Sequence, residues 1–84
     1  MVLDILKPIE PYLMELGKRI SELKGVEAVD LSVKEVDRKV ETVRMTIEGE
    51  WLEFDKINSI LEKYGAVVHS IDRITVGNRL TSPD

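Results

Sequence analysis

The chain has 84 residues, so we expect residues 1–84 to form one domain, with a frayed tail over residues 80–84. It has no cysteine, which excludes disulfides, thiolate metal sites and thiol catalysis. Its 12 basic and 16 acidic residues are interspersed and give a net charge of -4, which does not suit binding to nucleic acid phosphates. No apolar run could span a membrane and no signal peptide is evident, so we expect a cytoplasmic protein that binds neither nucleic acid nor membranes.

The first half begins with a predicted strand at Val2–Leu6, where apolar residues lie on both faces, as in a central strand. The prolines of Lys7–Pro11 predict the end of this strand, because proline cannot donate to a ladder. A helix is predicted from Pro11 to a left-handed glycine cap at Gly25. Gly17 inside this helix predicts a close approach to the sheet. The apolar stripe of the helix consists of Leu13, Leu16, Ile20 and Leu23.

A β-hairpin is predicted between Val29 and Gly49. Apolar and polar residues alternate strictly in both arms, on either side of a polar turn within Asp37–Glu41. This pattern is typical of two half-buried antiparallel strands. The apolar positions are Val29, Leu31 and Val33 in the first arm and Val43, Met45 and Ile47 in the second.

The second half repeats the order of the first. A helix with an apolar stripe is predicted from Phe54 to Tyr64, ended by Gly65, and a last strand runs from Ala66 to about Val76. Two strand–helix–strand units joined by a hairpin, with right-handed crossovers, predict a ferredoxin-like α+β sandwich of βαββαβ order. The sheet order is then 4-1-3-2, with all neighbours antiparallel and two helices on one face.

Three polar residues on neighbouring strands are candidate ligands for a small molecule or a cation. Asp4 lies on the central strand, where a carboxylate must be paired or solvated, and it either pairs with Arg44 or binds a ligand. His69 is either a packing residue or a partner of Asp4 or Asp72. Because His69 and Asp72 have opposite parity, they share a face only if the strand contains a bulge near Asp72. Such oxygen-rich ligands would favour calcium or magnesium over zinc.

The sheet face without helices is the candidate surface for self-assembly. It is expected to carry Val2 and Leu6 on the first strand and, depending on the bulge, Val68, Ile74 or Val76 on the fourth. This mixture is too apolar for a wet surface and too polar for a core, so we expect a homo-oligomer. Trp51, between the hairpin and the second helix, is expected to cover one end of the core or to anchor an interface.

Several stretches together resemble a family of small archaeal proteins. They are LDILKP at Leu3–Pro8, ISEL at Ile20–Leu23, GVE at Gly25–Glu27 and HSID at His69–Asp72. The family is domain-of-unknown-function family two hundred and eleven, and the resemblance covers nearly the whole chain. It implies a ferredoxin-like fold and ring-like self-assembly, and it implies no known reaction. Members often have a histidine where this chain has Ile9, so no role of that histidine is carried over.

The residues exclude several functions of ferredoxin-like domains. A copper chaperone needs paired cysteines, and an RNA-recognition domain needs exposed aromatic residues where this chain has Arg44, Thr46 and Glu48. The sequence therefore predicts a non-enzymatic, self-assembling module that binds a divalent cation or small ligand. The alternative is a ligand-sensing regulatory domain of the ACT type that acts on a separate enzyme.

Overall fold

A computed structural model describes residues 1–10 and 13–73, with the backbone alone for Asp72 and Arg73. The predicted positions Ile74 and Val76 and the tail over residues 80–84 lie outside the described residues. Within these described residues, six elements follow one another in the predicted order. They are β1 (Val2–Pro8), α1 (Leu13–Ser21), β2 (Val26–Val36), β3 (Val40–Gly49), α2 (Phe54–Lys63) and β4 (Val67–Arg73).

The four strands form one sheet in the order β2-β3-β1-β4. Every pair of neighbours is antiparallel, and β1 lies between β3 and β4. This is the predicted order read from the other edge. The predicted ferredoxin-like α+β fold is therefore confirmed, including the central position of the first strand.

The core lies between the helices and one face of the sheet. Strand β1 alternates buried and half-buried residues along its length, and β3 does the same from Val43 to Ile47. Both helices contribute to the same core cluster, so both cover the same face of the sheet. The fully buried members of this cluster are Leu3, Ile5, Leu16, Ile20, Val43, Met45, Ile47 and Leu61. Each of these apolar side chains contributes about 1.5–3 kcal/mol to the stability of the fold.

Helix α1 approaches the sheet closely at Gly17, as predicted. A Cβ atom at this position would lie 2.7 Å from the Cδ1 atom of Leu31 on β2. Glycine therefore lets the helix pack against the edge of the hairpin, at a cost of about 1 kcal/mol in helix propensity.

Strand β1 continues to Pro8, so the predicted end at Leu6 is wrong. The Ile9 N–H donates to the Lys39 carbonyl at 3.1 Å, which keeps β1 beside β3 beyond the proline. Successive backbone N–H groups point to opposite neighbours, so the nitrogen of Pro8 faces β4. The pairing with β4 extends only to Leu6 opposite Val67, so the proline removes no ladder bond.

The two helix ends differ. Helix α2 ends as predicted, because Gly65 has a φ of 72° and the Ala66 N–H donates to the Leu61 carbonyl at 2.8 Å. Helix α1 ends earlier than predicted, at Ser21. Gly25 has the predicted left-handed conformation, with a φ of 91°, but it lies in the turn that leads into β2.

The hairpin is longer than its alternating pattern. Its arms run over Val26–Val36 and Val40–Gly49, which leaves Asp37–Lys39 as the turn. The Asp37 N–H donates to the Val40 carbonyl at 2.8 Å and closes this turn. The turn therefore lies within the predicted range Asp37–Glu41, and the last two residues of that range, Val40 and Glu41, belong to β3.

Candidate functional site

The centre of the uncovered sheet face is an ion pair between β1 and β3. Asp4 and Arg44 are cross-strand partners. The Arg44 Nε donates to Asp4 Oδ1 at 2.9 Å, and the Arg44 Nη2 donates to Asp4 Oδ2 at 3.0 Å. The Ser70 hydroxyl of β4 donates to Asp4 Oδ2 at 3.3 Å. The predicted pairing of Asp4 with Arg44 is therefore present, as a bidentate bond between β1 and β3, and the Ser70 hydrogen bond links β4 to the same carboxylate.

Apolar and small side chains lie around this ion pair. The register places Val2 and Leu6 on the same face as Asp4, opposite Thr46 and Thr42. On β4, Val67 pairs with Leu6 and is 61% exposed. We call these residues, together with Asp4, Arg44 and Ser70, the open face.

Val68 does not belong to the open face. It pairs with Ile5, and its side chain packs against the core on the face that the helices cover. The cause is a register shift between Asp4 and Ile5, which inserts an extra residue into β4 and exchanges the parities of Val67 and Val68. The expectation that Val68 lies on the uncovered face is therefore wrong, and Val67 takes its place. The other expected contact on this strand, Ile74, lies outside the described residues.

His69 is the extra residue of that shift. Its neighbours Val68 and Ser70 pair with Ile5 and Asp4, and its own side chain is exposed. A second shift lies at Asp72, as predicted, between the partners of Val2 and Leu3. The side chain of Asp72 is not among those described.

The described side chains do not form a metal site. Within residues 1–10 and 13–71, no three His, Asp or Glu side chains are grouped as a metal ion would need. His69 and Asp4 share no hydrogen bond in this part of the chain, where Asp4 instead accepts from Arg44 and Ser70. The structure thus brings Asp4 to Arg44 and not to His69.

A groove lies at the hairpin-turn end of the open face. Its volume is about 430 Å³. Val36 is the most exposed of its apolar residues, at 66%, and Val40 is 39% exposed. This groove was not predicted from the sequence, because Val40 was assigned to a solvated turn. We call it the tip groove, and it is lined by Leu6, Glu35, Val36, Asp37, Val40 and Thr42.

Trp51 lies at the opposite end of the hairpin, directly after β3. Its side chain is 66% exposed, so the expectation that it covers one end of the core is wrong. Its φ of 58° is in the left-handed region, which disfavours a bulky residue. The preceding Glu50 N–H donates to the Gly25 carbonyl at 3.0 Å and fixes the corner from which Trp51 projects. Trp51 borders an open cavity of about 280 Å³ with Lys24, Gly25, Glu50 and Glu53.

Comparison with known proteins identifies the family. The family model DUF211, described as "Uncharacterized ArCR", matches residues 1–83. The chain belongs to the DUF211 family. It is similar to an uncharacterised protein of Methanocaldococcus jannaschii, with 40% identity over 79 residues that cover 94% of this chain and 81% of the relative. The resemblance seen in the sequence is confirmed.

This DUF211 protein also contains a buried lysine that the sequence analysis missed. Lys7 is 0% exposed and lies on the helix-covered face with Leu3 and Ile5. Its Nζ donates to the Glu41 Oε2 at 3.0 Å, the Pro8 carbonyl at 2.6 Å and the Ile9 carbonyl at 3.1 Å. The sequence signal was alternation, because Lys7 continues the buried series of Leu3 and Ile5 at every second position. This signal was overlooked because β1 was expected to end at Leu6.

Neither helix in the described part of this DUF211 protein has the length and apolarity that a bilayer-spanning helix needs.

Proposed function

We propose that this protein is a non-enzymatic module that assembles with copies of itself through the open face. The observation that carries the proposal is the composition of this face. Leu6 and Val67 form a cross-strand apolar pair on the side of the sheet without helices, and Val67 is 61% exposed. Exposed apolar area of this kind, next to polar groups, is typical of protein–protein contacts.

The Asp4–Arg44 pair suits the centre of such a contact. Asp4 already accepts two hydrogen bonds from Arg44 and a third from Ser70, so a partner could cover these groups without first supplying bonds to them. Burying a charge that is paired and hydrogen-bonded costs far less free energy than burying one alone. The small size of the chain adds a reason, because domains of this length gain stability by assembly.

Strand β2 offers a second route for self-association. It lies at one edge of the sheet and runs for 11 residues without a proline, and most of its side chains are exposed. An edge strand with open backbone groups can pair with another copy. The test must therefore distinguish a face contact from an edge contact.

Light scattering coupled to size exclusion, at low micromolar protein, tests the proposal. We expect a mass that is a multiple of the 9.6 kDa chain. Leu6→Asp should lower this mass, because it places an unpaired charge in the face contact. Met14→Asp is the matched control, since Met14 is 75% exposed on α1 and away from the open face. A wild-type mass of one chain would contradict assembly, and an unchanged mass for Leu6→Asp would assign the contact to the edge strand.

The ligand-binding alternatives have their own test. An ACT-like regulatory domain requires a specific small molecule, and such a molecule raises the Tm, because it binds the folded state. A thermal-shift screen with amino acids, nucleotides and divalent cations would detect it. A specific shift from one compound would favour the ligand-sensing alternative, and the absence of any shift would favour the assembly module.

A further inference from the structure

Two surface features of this protein lie at opposite ends of the long hairpin. The tip groove adjoins the turn at Asp37–Lys39, and Trp51 follows the far end of β3 at Gly49. The ten residues of β3 separate them by roughly 30 Å, at about 3.3 Å per residue. A chain therefore cannot place Trp51 in its own tip groove.

Packing within the chain does not explain why Trp51 is exposed and has a left-handed backbone conformation. It is the single tryptophan of the sequence, yet its side chain is 66% exposed. Its backbone is held in the left-handed region by a corner in which Glu50 bonds to Gly25. A bulky residue in this region is under strain, and such strain persists where the surroundings fix it and is concentrated at functional sites. Tryptophan is also the residue type most enriched among the energetic centres of interfaces.

The tip groove has the size to receive an aromatic ring, and apolar residues form part of its lining. Its volume of about 430 Å³ lies within the range of roughly 300–1,000 Å³ that is usual for binding cavities. Leu6 and Val40 supply apolar walls on the open face, and Val36 borders the groove from the edge strand. Leu6 also belongs to the open face, so the groove continues the surface on which the proposed assembly rests.

The charges around the two features are complementary. Glu35 and Asp37 line the tip groove, and Lys24 lies beside Trp51. Glu50 and Glu53, which also border Trp51, would meet the turn that carries Arg38 and Lys39. Opposite charges that meet around an apolar centre favour one orientation of two surfaces and disfavour others.

We infer that Trp51 of one copy inserts into the tip groove of a second copy. The inference rests on the proposed assembly and names the contact that forms it. The two surfaces differ, so each copy gives one tryptophan and receives one. Lys24 of the first copy then faces Glu35 and Asp37 of the second.

Trp51→Gly and Val36→Lys test the two sides of the contact. Glycine removes the ring and adopts a φ near 58° freely, so the fold should be kept. Val36 is 66% exposed on the edge strand, so lysine fits there in the single chain but repels Lys24 of the incoming copy. Each variant should weaken assembly about tenfold or more, measured by light scattering over a dilution series. Met14→Ala is the control for loss of an exposed apolar side chain and should behave as wild type.

The fluorescence of Trp51 gives a direct second readout, because no other tryptophan contributes. In wild type, acrylamide quenching should fall as the concentration rises through the assembly range. In Val36→Lys it should stay high at every concentration. Circular dichroism of each variant verifies that the fold is kept.

The outcomes separate the inference from the proposed function. If wild type assembles and Leu6→Asp dissociates, while Trp51→Gly and Val36→Lys keep the wild-type mass, the open-face contact stands and the insertion of Trp51 is wrong. Quenching that does not change on assembly would also overturn the insertion. A wild-type protein that stays monomeric would overturn both.

Discussion

At the scale of single residues, Lys7 shows how a charged group can belong to a core. Its ammonium has three protons and three acceptors, which are the Glu41 carboxylate and the carbonyls of Pro8 and Ile9. The Glu41 side chain is 12% exposed, so the pair is largely shielded from water. A buried lysine is tolerated only when its charge is compensated in this way. The pair closes the core where β1 leaves the sheet.

We predict that removing either partner of this pair destabilises the fold. Lys7→Met leaves two carbonyls without their donor, and we expect it to lower the free energy of unfolding by about 3 kcal/mol. Glu41→Gln keeps an acceptor but removes the opposite charge, and about 1–2 kcal/mol is expected. Chemical denaturation measures both.

The matched control for this prediction is an exposed ion pair. Lys56 and Glu53 form a 3.1 Å pair whose side chains are 63% and 64% exposed. Glu53→Gln should change the free energy of unfolding by less than about 0.5 kcal/mol, because water screens such pairs. If all three variants had equal effects, the structural role of Lys7 would be wrong.

Asp4 leads to a prediction about cations. Both of its carboxylate oxygens accept from Arg44, and Oδ2 also accepts from Ser70. A calcium or magnesium ion at Asp4 would have to displace a guanidinium group that carries its own positive charge. We therefore expect wild type and Asp4→Asn to give the same calcium and magnesium isotherms in calorimetry. A signal that disappears in Asp4→Asn would instead support the predicted cation site at Asp4, His69 and Asp72.

At the scale of elements, the sequence predicted the type of every strand and helix. The alternation around Val43–Ile47 and the stripe at Leu16 and Ile20 are strong, because each reflects burial on one face. Element ends were harder to predict, because they depend on partners distant in sequence. Strand β1 continues through Pro8 because the N–H of the next residue, Ile9, donates to the Lys39 carbonyl. Gly25 has the expected left-handed conformation. Helix α1 nevertheless ends at Ser21, so Gly25 lies in the turn before β2.

The corner where β2 begins and β3 ends depends on two glycines, Gly25 and Gly49, and we predict that neither tolerates a side chain. A Cβ at Gly49 would overlap the Gly25 carbonyl oxygen, and a Cβ at Gly25 would overlap the Glu50 carbonyl oxygen. Both obstacles are backbone atoms that cannot rotate away. Gly49→Ala and Gly25→Ala should each lower the free energy of unfolding by about 3 kcal/mol or more.

Gly17→Ala is the comparison for these two variants. Its obstacle is the Cδ1 atom at the end of the flexible Leu31 side chain, at 2.7 Å, and alanine favours the helix by about 1 kcal/mol. The net change should therefore stay within about 1 kcal/mol of wild type. Thermal and urea unfolding of the three variants give the order. A Gly49→Ala protein as stable as Gly17→Ala would contradict the close approach at the corner.

At the scale of the whole molecule, the topology followed from the sequence, but the composition of the open face followed only in part. A central first strand and two equivalent halves leave few arrangements that obey right-handed crossovers. Asp4 and Arg44 were matched by parity alone. The placement of Val67 was not predictable, because a bulge at His69 changes which residues of β4 face outward. The sequence named Trp51 as a cover for the core or an interface anchor, and its exposure was not predictable, because a single aromatic residue leaves no periodic signal.

The last prediction concerns the coupling of assembly to stability. A domain of this length buries only about 60% of the surface that its unfolded chain exposes, so its own margin is thin. If the open face is a subunit contact, folding and association are linked, and the Tm must rise with protein concentration. Each tenfold increase adds about 0.7 kcal/mol per chain for a dimer and more for a larger assembly, which corresponds to about 3 °C or more for a domain of this size. Calorimetric scans over a hundredfold range of concentration measure this slope.

Leu6→Asp should remove the slope and Met14→Asp should keep it, because only Leu6 lies on the open face. A wild-type Tm that is constant over this range, with reversible unfolding, would show that the folded chain gains nothing from a second copy.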